Sequence, residues 1–392
     1  MPKTVKIALV VGEVSGDLLA SHLIQALRSK LPKAVFYGIG GSKMCEQGFD
    51  AWFNMEKLAV LGYVEVIKHF REISGIRKEL KRRLLADPPD IFIGVDAPDF
   101  NLALEKALKR AGIQTIHYVS PSVWAWRGGR VKKIGAAVSH LLTLFPFESA
   151  IYEKKGIPVS FVGHPLADMI PLEDGRRGAR ELFDIPSQKP VIALLPGSRC
   201  SELHSMANVF IETAREVKKL LPDVMFFVPL ATRETRRIFE TAVYKASAGD
   251  LPFHLLFGHA REAMAAADVV LATSGTVTLE AALLKRPMVV AYKIAPLTFR
   301  LLKRLYYLPY VALPNILAGK FIVPEFIQDD ATPRNMAQAL LNYFFDEASR
   351  ERLFDSFREI HLKLRQNNSD KAAMAVIRTL QGENADAVPC DA

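Results

Sequence analysis

The chain has 392 residues, half of them hydrophobic and 24% charged, a balance that excludes a disordered or fibrous protein and is long enough for two cores. Lys and Arg outnumber Asp and Glu by 51 to 42, and the resulting charge of +9 favours anionic partners: phosphates, nucleotides, an acidic membrane surface or nucleic acid. Three cysteines, Cys45, Cys200 and Cys390, have neither paired nor metal-ligand spacing, and no apolar run reaches the roughly 18 residues of a spanning helix, so the expectation is a cytoplasmic protein with free thiols, able to rest on a membrane.

Strand and helix patterns alternate from the N-terminus. Apolar strands are predicted over 5–11, 34–39, 91–95, 115–119, 140–145 and 159–162. Helices fall between them at 18–30, with Leu19, Leu23 and Leu27 on one face, and at 101–110, ending at Gly112. The polar stretch 173–189 reads as a linker with the first short helix of a new unit. The alternation then restarts with strands 191–195, 224–228, 251–256, 268–272 and 288–291, and helices 201–221, 233–246 and one from Thr276. This pattern predicts an α/β protein with two Rossmann-like, doubly wound parallel-sheet domains and a ligand cleft between them. The expected boundaries are 1–170, 171–345, a helical segment 346–380 and a loose tail 381–392.

Ligands in such sheets bind beyond the carboxyl ends of strands, so the turns there are the candidate sites. The first is Gly12-Glu13-Val14-Ser15-Gly16-Asp17. It is neither a dinucleotide fingerprint nor a P-loop; its carboxylates suit sugar hydroxyls better than a pyrophosphate, or Ser15 and Asp17 cap the next helix. Asp96 ends a buried strand. Asp99 is placed to N-cap the helix that follows, which leaves Asp96 as a general base or as the acceptor of a turn-stabilising hydrogen bond. In the second half, Gly197 and Ser198 can bring backbone amides to a phosphate and Arg199 can clamp it. Ser274, Gly275 and Thr276 open a helix whose N-terminus suits phosphate, and Glu280, one turn in, can reach ribose hydroxyls. The competing reading makes Ser274 and Thr276 simple caps.

No metal site is predicted, because the nine histidines are scattered and no Asp-x-Asp pair is present. His164 is read as a structural residue of an interdomain turn and His117 as a satisfied strand histidine. The apolar stretch 58–67, followed by Lys68, His69, Arg71, Arg77 and Lys78, suits an anionic bilayer through Val60, Leu61, Val64 and Ile67. Stretch 297–308 mixes apolar and basic residues in the same way. The alternative for both is an ordinary core helix with a solvated basic face.

Taken together, GEVSGD, GVDAPDFN, HYVSPSVWAWR, FVGHPL, LPGSR-x-SE, TSGTVTLEAAL and LPN, in order from Gly12 to Asn315, resemble the lipid-A-disaccharide synthase family, glycosyltransferases of the two-Rossmann-domain (GT-B) kind. The resemblance implies an inverting transfer of 2,3-diacylglucosamine from UDP-2,3-diacylglucosamine to 2,3-diacylglucosamine 1-phosphate, without metal or other cofactor. It makes Asp96 the base, with Glu13 and the Ser15-Gly16 turn shaping the acceptor side, and gives the 1–170 domain membrane contact. Gly197, Ser198, Arg199, Ser274, Gly275, Thr276 and Glu280 hold UDP in the second domain, with Asn315 nearby. It further implies peripheral attachment to anionic lipids at the cytoplasmic face of the inner membrane, a homodimer as a possible assembly with swapped C-terminal segments, and no nucleic-acid partner. Two other readings fit the fold: another GT-B enzyme, such as a UDP-sugar epimerase or a peptidoglycan glycosyltransferase, and a non-catalytic nucleotide-sugar sensor. An epimerase has no need of an acceptor, and a sensor leaves Asp96 idle.

Overall fold

The computed structural model describes residues 4–58, 63–124, 128–295, 298–300 and 308–382, with the side chains of 63–70 excepted. The chain divides into two compact units, Met1–Asp168 with Leu364–Ala392, and Met169–Lys363.

The first unit is built on seven parallel strands: β1 (Lys6–Val11), β2 (Val35–Gly40), β3 (Asp50–Asn54), β4 (Ile91–Val95), β5 (Gln114–Tyr118), β6 (His140–Thr143) and β7 (Val159–Phe161), in the order β3-β2-β1-β4-β5-β6-β7. β1 and β4 pair in the centre, Ile7 opposite Ile91 and Val11 opposite Val95. Both are covered on both faces, which is why they read as continuous apolar runs rather than alternating ones. The C-terminal helix Asn368–Leu380 belongs to this unit. Its Ala372, Ala373 and Val376 join the core of Leu19, Leu23 and Leu27. Asn368 anchors it: the Tyr118 hydroxyl donates to Asn368 Oδ1 at 2.6 Å, and Asn368 Nδ2 donates to the Gly163 carbonyl at 2.8 Å. The predicted segment 346–380 therefore divides, with helix Glu347–Leu364 lying in the second unit up to Lys363.

The second unit holds six parallel strands: β8 (Val191–Leu195), β9 (Met225–Leu230), β10 (Phe253–Phe257), β11 (Val269–Ala272), β12 (Met288–Tyr292) and β13 (Glu325–Ile327), in the order β10-β9-β8-β11-β12-β13. Helix Cys200–Leu220 buries Leu203, Met206, Ala207, Phe210, Ile211, Ala214 and Val217, a stripe at helical spacing that faces the sheet. The polar stretch 173–189 is more than a linker. Its helix Arg176–Leu182 carries Arg180, buried to 3% exposure. The Arg180 guanidinium donates to the carbonyls of Pro186, Ser187 and Lys189 at 2.9 Å each, to Ala266 at 3.0 Å and to Asp268 Oδ2 at 2.9 Å. Asp268 also accepts the Val191 amide at 2.9 Å, so one ion pair ties the starts of β8 and β11 together.

β3 and β13 were not predicted. Both are short edge strands, largely half-buried or exposed, and lack the apolar run that marks a central strand. Among the described residues no helix is long and apolar enough to cross a membrane.

Candidate active site

Each sheet reverses its strand order once, between β1 and β4 and between β8 and β11. Loops leaving neighbouring strands diverge at such a point and open a crevice. The candidate residues cluster at both points.

In the second unit a cavity of about 490 Å³ is lined by Gly197, Ser198 and Arg199 beyond β8, and by Ser274, Gly275, Thr276 and Glu280 beyond β11. Gly197 has φ +130°, a conformation L residues rarely adopt, and a Cβ there would lie 2.4 Å from Glu202 Cβ. Glu202, in the first turn of helix Cys200–Leu220, reaches back to the N-cap. Its Oε2 accepts from the amides of Ser198 (3.0 Å) and Arg199 (3.3 Å), and its Oε1 from the Arg199 guanidinium (3.2 Å). Of the two amides expected to cradle a phosphate, that of Ser198 is thus already satisfied by a carboxylate, as is the Arg199 amide beside it. What this turn offers an incoming phosphate is the Arg199 guanidinium, whose side chain is 69% exposed.

The second group of donors comes from helix Thr276–Leu283. The opening amides of a helix lack an intrahelical acceptor, and although Thr278 here donates to the Gly275 carbonyl at 3.1 Å, the positive end of the helix dipole lies at the same place. The Ser274 hydroxyl donates to the Val311 carbonyl at 3.1 Å and holds the turn. Glu280 Oε1 accepts from Arg261 Nε at 2.8 Å, which fixes a carboxylate suited to hydroxyl donors on the cavity wall.

Asn315 does not line this cavity. Its Nδ2 donates to the Val323 carbonyl (2.9 Å) and Glu325 Oε1 (2.7 Å), while its Oδ1 accepts the amides of Ile322 (2.8 Å) and Val323 (2.9 Å). All four hydrogen-bonding positions of the amide are taken. Glu325 in turn accepts the Val311 and Ala312 amides, so Asn315 supports the segment behind Ser274.

In the first unit, Glu13 and Ser15 are exposed at the start of helix Val14–Lys30, and Gly16 packs on Val11 and Val95. Asp17 is withdrawn from this edge. It is buried and accepts the amides of Gly41, Lys43 and Met44 at 3.0–3.1 Å, capping helix Ser42–Glu46 instead of its own.

Asp96 and Ala97, just beyond β4, have φ +51° and +43°. The left-handed region costs a non-glycine residue about 1–2 kcal/mol, and such strain collects at functional sites. The Asp96 amide donates to the Tyr118 carbonyl at 2.8 Å, and its carbonyl accepts from Asn101 Nδ2 at 2.8 Å. Among the described residues the Asp96 carboxylate takes no hydrogen bond or ion pair, so stabilisation of this turn falls to Asn101. Asp99 does not cap the helix as expected. The helix is Pro98–Arg110 with Ala97 at its N-cap, and Asp99, 86% exposed, pairs with Arg130 at 3.0 Å.

Three further buried groups stand out in the first unit. His117 is not fully satisfied: its Nδ1 lies 2.7 Å from Glu105 Oε1, but its Nε2 has no partner among the described residues. Glu148 accepts the Phe145 amide (3.0 Å) and Trp124 Nε1 (3.1 Å), and burial pushes its pKa up to about 7. Its signature is legible as Pro146 followed by Glu148 in the first turn of helix Pro146–Glu153. His164 behaves as expected of a structural residue, Nδ1 accepting the Leu166 amide at 3.2 Å, with burial lowering its pKa to about 4. No group of three or more His, Cys, Asp and Glu among the described residues could hold a metal ion. Val60, Leu61 and the side chains of Val64 and Ile67 lie outside the described residues, as does most of stretch 297–308.

Two parallel α/β units, each with a crevice at its switch point, define the GT-B fold. Solved structures of that architecture resemble the whole chain. UDP-GlcNAc 2-epimerase from Neisseria meningitidis bound to UDP-GlcNAc matches with a TM-score of 0.64 at 14% identity, over 96% of this chain and 100% of that one. The glycotransferase of kitacinnamycin matches with a TM-score of 0.63 at 18% identity, over 96% and 100%. The sequence is more particular. Residues 7–378 match the family described as lipid-A-disaccharide synthetase. The lipid-A-disaccharide synthase of Dechloromonas aromatica is 61% identical over 97% of this chain and 100% of its own length, and that of Aromatoleum aromaticum 58% identical over 95% of each. The chain belongs to the lipid-A-disaccharide synthetase family.

Proposed function

We infer that the protein transfers 2,3-diacylglucosamine from UDP-2,3-diacylglucosamine to the 6-hydroxyl of 2,3-diacylglucosamine 1-phosphate, releasing UDP and the β-1′,6-linked lipid A disaccharide phosphate. The observation that carries this is one cavity whose lining includes all seven residues assigned to UDP, from two segments far apart in sequence, in a chain the family matches over 7–378. Arg199 and the amide end of helix Thr276–Leu283 supply positive charge where the leaving diphosphate gains negative charge. Glu280, held by Arg261, accepts ribose hydroxyls.

The reaction is a single displacement. The acceptor oxygen bonds to the anomeric carbon, the bond from that carbon to UDP breaks, and the hydroxyl proton passes to a base. Asp96 is our assignment for that base, because its carboxylate is uncommitted at the end of a central strand. Glu13 and the Ser15-Gly16 turn shape the acceptor side. Both substrates carry acyl chains, and we assign contact with anionic lipids of the inner membrane to Val60, Leu61, Val64 and Ile67 on the sequence pattern.

The test is UDP release by the purified protein given the donor with and without the acceptor. Acceptor-dependent release together with a phosphorylated disaccharide supports the transferase; release without acceptor points to epimerase or hydrolase chemistry. Asp96→Asn is expected to lower kcat at least about 100-fold while UDP still binds.

A further inference from the structure

Asp96 and Ala97 are consecutive residues held in a conformation unfavourable to both. The backbone around them is secured: the Phe100 and Asn101 amides donate to the Ala97 carbonyl at 3.0 Å. The remaining restraint is a side chain. Asn101 Nδ2 reaches the Asp96 carbonyl at 2.8 Å and the Val10 carbonyl at 3.4 Å, bridging the turn beyond β4 to the end of β1.

Asn101 is backed by a buried ion-pair partnership. Glu105 lies one turn further along helix Pro98–Arg110, and its Oε1 is 2.7 Å from His117 Nδ1 on β5. His117 stands opposite Gly94 in the β4–β5 register. Gly94 makes the room: a Cβ there would lie 2.2 Å from Glu105 Oε1 and 3.0 Å from Asn101 Cγ. The two side chains therefore converge on one point against β4. Asn101, Glu105 and His117 are each 0% exposed. Among the described residues Asn101 Oδ1, Glu105 Oε2 and His117 Nε2 have no hydrogen-bond partner. Burial raises the pKa of the Glu105 carboxyl, and the pair carries no net charge when its two members hold one proton between them. Three apolar side chains would fill this space at lower cost in free energy, so stability alone does not account for the cluster.

We propose that Asn101, with the Glu105–His117 pair packed behind it, is a positioning device for Asp96: it holds the strained turn in the one conformation that presents the Asp96 carboxylate to the acceptor. This rests on Asp96 being the base. The cluster belongs to the first unit and the residues assigned to UDP to the second, so it acts on kcat and leaves nucleotide binding alone.

Asn101→Leu keeps the volume and removes both donated bonds. The expected result is a kcat lowered at least tenfold with unchanged KM for the donor, unchanged Kd for UDP and an unchanged or raised Tm. A folded Asn101→Leu protein with wild-type kcat overturns the proposal. If that variant loses its native tryptophan emission, Glu105→Leu and Glu105→Gln decide: loss of kcat in the first and recovery in the second, which still pairs with His117, supports the device, and wild-type kcat in Glu105→Leu overturns it. Asp96→Asn separates the two levels. Full turnover there removes the base assignment and this proposal together, whereas an inactive Asp96→Asn beside a fully active Asn101→Leu removes only this proposal.

Discussion

Gly197→Ala is the substitution for which the structure gives the largest local effect at the cavity between the ends of β8 and β11. Two contributions add. A non-glycine residue at φ +130° is strained by about 1–3 kcal/mol. The new Cβ would also sit 2.4 Å from Glu202 Cβ, an atom fixed to the first turn of helix Cys200–Leu220, so the turn or the helix start must move. That movement loosens the bonds from Ser198 and Arg199 to the Glu202 carboxylate, worth about 1–2 kcal/mol together because two of the three are long. The sum, about 2–5 kcal/mol, corresponds to a fall in Tm of about 4–20 °C for a unit of this size. Arg199 moves with the turn, and UDP affinity is expected to fall at least tenfold. Scanning calorimetry and isothermal titration with UDP measure the two effects, with Ser198→Ala as a control expected to stay within about 0.5 kcal/mol of the wild type because its side chain is exposed. Wild-type Tm and wild-type UDP affinity in Gly197→Ala would refute the geometric argument for this turn.

Arg180→Met removes five hydrogen bonds and one partner of a mostly buried ion pair, and should destabilise the second unit by about 3–5 kcal/mol in urea unfolding, with UDP affinity of the folded protein unchanged because the node joins the opposite ends of the strands; a loss below about 1 kcal/mol contradicts this. For pH dependence, burial lowers the pKa of both His140 and His164 from 6.5 to about 4, so stability is lost as pH falls from 6.5 towards 4, while Glu148, raised from 4.5 to about 7, loses stability as pH rises over 4.5–7. Glu105, also raised by burial, opposes the histidines as Glu148 does, so the sign is read from a variant: Glu148→Gln removes one opposing proton, and stability of the first unit should rise with pH more steeply than in the wild type by about 1 kcal/mol per pH unit near pH 5.5. Unfolding is followed by tryptophan emission, Trp52 and Trp124 lying in that unit, and equal slopes for variant and wild type between pH 5 and 6 contradict this.

The central strands were legible because a strand covered on both faces must be apolar throughout, and 91–95 and 191–195 coincide with β4 and β8 to the residue. Edge strands β3 and β13 were not, because one side faces solvent and no run of hydrophobic residues is needed. The cavity residues were legible as turns at strand ends, since Gly197 and Gly275 mark backbone conformations that other residues avoid. What local sequence could not reveal was which distant group each polar side chain meets. Asp17 has its acceptor role 24 residues away at Gly41, and Asn315 spends its whole amide on the Ile322–Glu325 loop. Asn101 and Glu105 did leave a trace, as polar residues in phase with buried Phe100, Leu104 and Leu108 on one helix face.

The carboxylates at the two sheet edges sort themselves by what they accept. Asp17 takes three backbone amides, Glu202 two, Glu325 two and Asp268 one beside its two arginines. Each fixes a turn or a strand start; removing any of them leaves amides without an acceptor, and protonating any of them weakens those bonds. Asp96 accepts none among the described residues, although its own backbone is held on both sides by Tyr118 and Asn101. Backbone fixed and side chain free is the arrangement a general base requires, because the carboxylate must change protonation without undoing the structure that aims it. By that criterion Asp96 stands with Glu13 as a carboxylate uncommitted to the fold, and of the two only Asp96 sits in a conformation that the fold has to hold against strain.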